Sequence, residues 1–362
     1  MGFFGNLLKS GASPIGVDLG NANLKLAQVV THDGRAVLAA AANEPVPAAA
    51  RSDPKARVDH FLDVISRMLS KGGFRGRRVV LGLPASFMHF HRLRMPQLDE
   101  AAIKQAIAFQ CVDHLPFHPS RALIRHLVAG DVYEDNEPRH EVIVMAARRE
   151  LTDYFLDAAS RAKLEIVGVS PEPMAIGSCF AAAEIASTAT AYVDIGTAGT
   201  RIYVATGQKI QFARAVPIGA DQFDQAIAQQ LKVGGNDARR LRLQASSGGP
   251  DSGAANHARV EQAMDAPLRQ LLAELDLSVR YHRATFPSTP VAQVIFLGAS
   301  AAHQRIWQKL GLELHLPASA GDPLARIEIA EHLTEESSGD TPPPPAWAVP
   351  IGLSLGALSK AA

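Results

Sequence analysis

Hydrophobic runs and helical periodicities follow one another in an order typical of layered folds. Residues 15–30 and 35–42 are predicted as two strands around the turn at 32–34. Residues 58–71 repeat apolar side chains at helical spacing and end at a Gly-Gly pair, which predicts a helix. A buried strand is predicted at 77–83. The order strand, strand, helix, strand indicates an α/β architecture.

The order of predicted strands and helices changes between about residues 86 and 164. Asp99 is a favourable N-cap residue, and the apolar positions after it predict a helix. Two strands are predicted at 123–130 and 141–147, and a second helix at 149–163. This stretch is therefore predicted to form a small αββα insert within the first of two domains.

The length of 362 residues favours two domains, because single cores rarely grow that large. The first domain is predicted to comprise residues 1–190 together with 346–362, and the second residues 191–345. The apolar tail carries Gly352 and Gly356 four residues apart. We expect this tail to be a helix that packs a face of small residues closely against the first domain.

One short motif occurs twice, at residues 15–23 and again at 192–200. In each copy a hydrophobic strand ends in Asp-apolar-Gly, followed by small polar residues and a second β-rich run. A strand, a tight turn and a returning strand would place Asp18 and Asp194 at the mouths of the turns, beside backbone N–H groups. Such N–H groups hold phosphate oxygens, and the carboxylate can hold Mg²⁺, usually through water. The repetition predicts two related subdomains that grip one nucleotide between them.

Composition narrows the function classes. Lys plus Arg and Asp plus Glu both number 36, so the formal net charge is zero, which argues against nucleic-acid binding and against direct attraction to an anionic membrane. The two cysteines form no CxxC pair, which fits a reducing compartment without structural zinc. His89 and His91 would share one face of a strand as a metal pair, but no third ligand can be identified, and ordinary packing or surface histidines explain them better. No apolar run reaches transmembrane length, so no direct membrane insertion is expected.

Five segments carry a family resemblance: residues 15–20, residues 93–98 leading to 114–117, residues 193–197 with 212–221, residues 294–300, and residues 348–356. In this order and spacing they resemble the PilM family of type IV pilus assembly proteins, relatives of FtsA in the actin-like ATPase superfamily. The resemblance implies an α/β fold of the actin-like ATPase (ribonuclease H-like) type. It also implies two duplicated subdomains and an FtsA- and PilM-like αββα insert in the first.

The resemblance also implies roles for residues in three turns. The first two turns would be phosphate loops, with Asp18 and Asp194 near Mg²⁺, and the third would close over the adenosine. A catalytic base cannot be assigned, since Glu172, the acid nearest the expected hinge, also fits an exposed turn between prolines. The implied cofactors are ATP and Mg²⁺. The candidate binding residues are Asp18, Gly20, Asn21, Asn23, Lys25, Asp194, Gly196, Thr197, Thr200, Gly298, Ala299 and Ser300.

Three residues depart from the family pattern at the adenosine end. Ala299 replaces the second glycine of a Gly-Gly turn, and its methyl group would crowd a backbone that approaches the base closely. On the helix expected near the adenosine, Arg239 replaces an acid and Arg242 replaces a lysine. Recognition of adenine and ribose is therefore less well supported than binding of phosphate.

The resemblance implies a cytoplasmic nucleotide-binding scaffold of the inner-membrane platform of a pilus or related secretion system, with weak ATPase activity at most. It would dock the cytosolic N-terminal segment of a PilN-like protein in a groove beside the insert. Pilus motor ATPases and further copies of the chain are additional candidate partners, and membrane association would be peripheral, through partners. Two alternatives stay open: an interaction module that does not use nucleotide, and a small-molecule kinase of the same superfamily.

Overall fold

The structure is a computed structural model that describes residues 13–180, 187–247, 254–335 and 344–359. Internal contacts divide the chain into two compact units. The first unit contains Met1–Ala183, Gln208–Ile210 and Asp322–Ala362, and the second contains Glu184–Gly207 and Gln211–Gly321.

The helices and strands alternate as the hydrophobic pattern indicates. From the start of the chain they are β1 (Ile15–Leu19), β2 (Asn23–His32), β3 (Arg35–Pro45), α1 (Pro54–Lys71), β4 (Arg78–Leu83), β5 (Met88–Pro96), α2 (Glu100–Gln110), β6 (Ala122–Glu134), β7 (Glu137–Arg148), α3 (Arg149–Arg161), β8 (Glu165–Pro171) and α4 (Glu172–Phe180). The second unit follows with β9 (Ala189–Ile195), β10 (Thr200–Thr206), β11 (Lys209–Val216), α5 (Ala220–Leu231), α6 (Gly235–Ser247), α7 (Ala254–Thr285), β12 (Val291–Leu297), α8 (Gln304–Leu314) and β13 (Ala318–Ala320). The chain then returns to the first unit with β14 (Glu328–Ile329), α9 (Glu331–Glu335) and α10 (Ala348–Ser359).

The main sheets of the two units have the same order of five strands, and the first sheet has β14 as an additional edge strand. The first runs β14-β3-β2-β1-β4-β8 and the second runs β11-β10-β9-β12-β13. In each, the strand that carries the Asp-apolar-Gly motif pairs antiparallel with the next strand and parallel with its other neighbour. Parallel pairing brings the carboxyl ends of these strands to one edge of each sheet, which is where α/β folds bind ligands.

The insert has its own sheet, in the order β5-β7-β6. Helix α2 packs on this sheet through Ile103 and Ile107, and its N-cap Asp99 accepts a hydrogen bond from the Ala102 N–H, as the sequence predicts. Helix α3, which the sequence assigned to the insert, lies in the main core of the first unit instead. There its Phe155 ring packs edge-on against Phe61 of α1, with ring centroids 5.2 Å apart.

The tail helix α10 lies in close contact with the first unit. A Cβ atom on Gly16 would lie 2.0 Å from the Pro350 carbonyl oxygen, and one on Gly352 would lie 1.9 Å from the Ala175 carbonyl oxygen. The expected packing of small residues is confirmed by these approaches. Within the described ranges, no helix has both the length and the hydropathy that a membrane span requires.

The boundary near the end of the second domain differs from the predicted one. Strand β14 pairs in parallel with β3, with Glu328 opposite Val37. Because this pairing adds a strand to the first sheet, residues from Asp322 onward belong to the first unit, whereas the sequence placed the boundary at 345.

Candidate functional site: two carboxylate turns

The first turn begins where β1 ends. Asp18 lies directly opposite Lys25 in the β1–β2 hairpin, and the Lys25 Nζ atom is 2.7 Å from Asp18 Oδ2. The same ammonium group donates a hydrogen bond of 2.6 Å to the Ala346 carbonyl oxygen. The two side chains are only 13% and 8% exposed, so a nearly buried, internally neutral ion pair occupies the mouth of the turn.

The other residues of the first turn are held by backbone contacts. The Asn21 side-chain amide donates to the Arg51 carbonyl oxygen at 3.3 Å, and Asn23 starts β2 opposite Pro45. A Cβ atom on Gly20 would lie 2.8 Å from the Asn23 carbonyl oxygen. Asn21 is thus directed at the protein backbone in this conformation, which accounts for its place in the turn without a ligand.

Arg57 belongs to the same edge of the first sheet, although the sequence did not single it out. Its buried guanidinium donates from Nη2 to Ser86 Oγ, while Nε and Nη1 form no hydrogen bond within the described part of the chain. Burial lowers the pKa of Arg57, and nearby Glu172, Asp53 and Asp18 act in the opposite direction. Unsatisfied buried donors are uncommon, and the charge of this guanidinium is balanced by these neighbouring carboxylates. The sequence signal that could have identified Arg57 is its position one helical turn before Phe61, on the apolar face of α1.

The second turn repeats the geometry of the first. Asp194 lies opposite Arg201 in the β9–β10 hairpin, and the Arg201 Nη2 atom donates to Asp194 Oδ2 at 2.8 Å. Arg201 Nη1 lies directly against Gly196, because a Cβ atom there would be 2.5 Å away from it. Arg201 was also missed, although it stands seven residues after Asp194, as Lys25 does after Asp18.

The backbone of the second turn is fixed by the start of α5. The Ala220 and Asp221 N–H groups donate to the carbonyl oxygens of Gly196 and Thr197, both at 2.9 Å. The Thr200 hydroxyl, predicted as a candidate phosphate contact, donates to the Ile218 carbonyl oxygen at 2.6 Å. These contacts hold the turn in one conformation. The Thr200 hydroxyl proton is already used in a hydrogen bond within the protein.

The third turn, which is predicted to close over the adenosine, packs against the second turn. Gly298 has a φ of 82°, and a Cβ atom there would lie 2.5 Å from the Ile195 carbonyl oxygen and 2.6 Å from Asp194 Oδ1. Ala299 is exposed, has no positive φ and starts a short 3₁₀ helix, whereas Ser300 is buried. The position that requires glycine is therefore Gly298, and the alanine after it does not strain the turn.

Arg242 has a structural partner. Its Nε and Nη2 atoms donate to both oxygens of Asp224, at 2.6 and 3.2 Å, and the arginine is buried. This bidentate pair joins α6 to α5. The replacement of a lysine that the sequence placed near the adenosine is thus explained by helix packing.

The histidines at the insert form a stack. The rings of His91 and His114 lie 4.2 Å apart and nearly parallel. Burial, and then the nearby His114, lower the pKa of His91. Among the residues that the structure describes, no group of three or more His, Cys, Asp or Glu side chains is arranged to hold a metal ion.

Comparisons with known proteins agree with this architecture. Residues 16–357 match the family described as type IV pilus assembly protein PilM. The fold is similar to that of a chain in the PilM-PilN type IV pilus biogenesis complex, with a TM-score of 0.78 and 21% identity over 96% of this chain and 99% of that one. It is also similar to the ethanolamine utilization protein EutJ from Carboxydothermus hydrogenoformans, with a TM-score of 0.54 and 14% identity over 97% and 91% of the two chains.

These likenesses confirm the predicted actin-like ATPase fold. The family match extends over nearly the whole chain, including the insert and the tail helix. The chain therefore belongs to the PilM family of type IV pilus assembly proteins.

Proposed function

We propose that this protein is a scaffold of the type IV pilus platform at the inner membrane, where it binds ATP and docks the cytosolic N-terminal segment of a PilN-like protein. The main support is the family match over residues 16–357. The similar chain solved in a PilM-PilN complex corresponds to this one over nearly its full length. The protein would be cytoplasmic and would reach the membrane through that partner.

The arrangement of charges supports phosphate binding. Lys25, Arg57 and Arg201 lie at the carboxyl edges of the two main sheets, where each turn also brings backbone N–H groups. Arg57 adds positive charge near the first turn, although its side chain is 1% exposed and does not reach a ligand in this conformation. Asp18 and Asp194 are the two candidate carboxylates for Mg²⁺, through water. Bound Mg²⁺ would neutralise charge on the phosphates.

One observation favours a second candidate, an interaction module that does not use nucleotide. Both carboxylates already form ion pairs with a cation of their own hairpin, so each turn is nearly neutral in the present conformation. A neutral turn attracts Mg²⁺ less strongly than a free carboxylate would.

A nucleotide titration separates these two candidates. Purified protein is titrated with a fluorescent N-methylanthraniloyl derivative of ATP in the presence of Mg²⁺, as wild type and with Asp18→Ala and Asp194→Ala combined. Saturable binding by the wild type and its loss in the double variant are expected. Asp276→Ala, which removes a partly exposed carboxylate of α7, is the control and should bind as the wild type does. An absence of saturable binding at millimolar nucleotide would leave only the interaction module.

The insert offers a docking groove of a suitable kind. A cavity of about 550 Å³ lies between α2 and β6, lined among others by Lys104, Ala108, Ile124 and Arg125. β6 is an edge strand of the insert sheet. An edge strand beside a groove suits an extended peptide, which pairs with the strand and places alternate side chains in the groove.

Peptide binding tests this assignment. A labelled peptide with the N-terminal sequence of a PilN-like protein from the same genome is titrated, and its fluorescence anisotropy is measured. Ala108→Arg should weaken binding about tenfold or more, since the long side chain fills the groove. Gln105→Arg, on the same helix but outside the groove lining, should leave binding unchanged. Equal binding by all three proteins would reject the groove as the docking site.

A further inference from the structure

The carboxylate of the second turn is enclosed on both sides. Asp194 Oδ2 accepts the hydrogen bond from Arg201, and Oδ1 lies so close to the Gly298 backbone that a Cβ atom there would be 2.6 Å away. The Asp194 side chain is 7% exposed. Hydrated Mg²⁺ requires an accessible carboxylate oxygen. Asp194 is thus poorly placed as a metal ligand.

The carboxylate of the first turn is enclosed to the same degree, since the Asp18 side chain is 8% exposed against 7% for Asp194. Asp18 Oδ2 pairs with the ammonium group of Lys25, and its Oδ1 is 4.0 Å from the position that a Cβ atom on Gly20 would take. Lysine is a compact point charge, and here it is shared with the Ala346 carbonyl oxygen. The two carboxylates therefore differ in the cation that pairs with them and not in their exposure to solvent.

Arg201 is the outer member of its pair. Its side chain is 17% exposed, against 7% for Asp194, so Arg201 is the more exposed member of the pair. The guanidinium also lies beneath Gly196, at the carboxyl end of β9, where ligands of parallel strands bind. Arginine has a planar fork of donors that matches phosphate oxygens.

We infer that Arg201 is a direct ligand of the nucleotide phosphates, and that Asp194 is a positioning residue that holds Arg201 and does not bind the metal. This inference rests on the proposed nucleotide binding. The second turn would then recognise phosphate by a fixed protein cation.

The inference is tested in the full-length protein by substitutions that remove one charge and keep a polar side chain of similar size. The same fluorescent ATP derivative is titrated with Mg²⁺ and, separately, with EDTA. Arg201→Gln should weaken binding about tenfold or more in both conditions, because a charge-assisted phosphate contact is lost. Asp194→Asn should bind more tightly than the wild type and keep the same response to Mg²⁺, because it removes a negative charge near the phosphates. If Asp194 were the metal ligand, the same substitution would weaken Mg²⁺-dependent binding.

Two further sets of variants serve as controls. Arg280→Gln and Asp276→Asn alter another Arg–Asp pair with a 2.7 Å contact, which lies exposed on α7, and should not change binding. The combined Arg201→Gln and Asp194→Asn variant leaves no unpaired buried charge, so it should remain folded in a thermal melt and bind as weakly as Arg201→Gln. Wild-type affinity in Arg201→Gln, or a loss in Asp194→Asn equal to that in Arg201→Gln, would overturn the inference while ATP binding stands. Failure of the wild type to bind would overturn both.

Discussion

The turns after β1 and β9 share their register and differ in their cation. Each places an aspartate directly opposite a basic residue in a hairpin, with contacts of 2.7 and 2.8 Å. The first turn uses Lys25, whose ammonium group also bonds to Ala346 near the end of the chain. The second uses Arg201, packed against Gly196 of its own turn. The duplicated architecture preserves the position of the charge pair, while the cation and its surroundings have diverged.

This difference has a structural consequence. The first turn depends on a segment that lies 321 residues away in sequence, whereas the second is held by its own hairpin and by the start of α5. A long-range contact is lost when the tail segment detaches, and a local one is not. We therefore expect the first turn to respond to changes at α10 and the second to be independent of them.

The largest effect should come from removing the cations. Arg201→Met leaves Asp194 buried without a counter-charge, and we expect a loss of about 3 to 5 kcal/mol in the free energy of unfolding, measured by denaturant titration. Lys25→Met should cost about as much, because the Asp18 side chain is 8% exposed against 7% for Asp194. Adding Asp194→Leu to Arg201→Met should restore most of the loss. A much smaller loss at the first turn would show that water reaches Asp18 more easily than its burial indicates.

The next largest losses of stability should come from substitutions at the glycines of the turns, and these losses should differ from turn to turn. Gly298→Ala forces a side chain onto a positive φ and against the Ile195 carbonyl oxygen, so we expect a loss of about 2 to 4 kcal/mol. Gly20→Ala meets only the Asn23 carbonyl oxygen and should cost less. Ala299→Gly should stay within about 1 kcal/mol of the wild type. Thermal unfolding compares the three variants. A large effect of Ala299→Gly would show that the alanine has a structural role.

Acidic pH should weaken the second unit. His282 is fully buried, and burial lowers its pKa to about 4. In the unfolded chain it titrates near 6.5, so stability is complete above that pH and falls as the pH drops from 6.5 towards 4. We expect a loss of about 2 kcal/mol between pH 7 and pH 5. His282→Gln should flatten this part of the pH profile in denaturant titrations, and an unchanged profile would assign the loss to other groups.

The smallest effects should come from the neutral turn residues. Thr200→Val removes a buried hydroxyl that donates to the Ile218 carbonyl oxygen at 2.6 Å, and we expect a loss of about 1 kcal/mol. Asn21→Ala removes a longer bond of 3.3 Å in a less buried place and should cost less. Denaturant titration of both variants tests this order. The reverse order would mean that the first turn is the more tightly held of the two.

Much of the fold follows from local patterns. The periodicity of α1, the cap at Asp99 and the glycines of α10 are short-range signals, and the structure agrees with them. The assignment of α3 to the insert failed because an amphipathic helix shows that it has an apolar face, and not which surface covers that face. The pairing of β14 with β3 was missed for a related reason, since two residues carry too little pattern to identify a strand.

The sequence by itself determined the two Asp-apolar-Gly turns, the duplicated order of elements and the family, because these depend on residues that are close together in the chain. Tertiary structure alone decided which side chains surround the carboxylates. Lys25 reaches Ala346, Arg57 enters the edge of the first sheet beside Ser86, and Arg201 closes over Asp194. Such partners depend on strand register and on contacts between distant segments. Neither is contained in the spacing of residues along the chain.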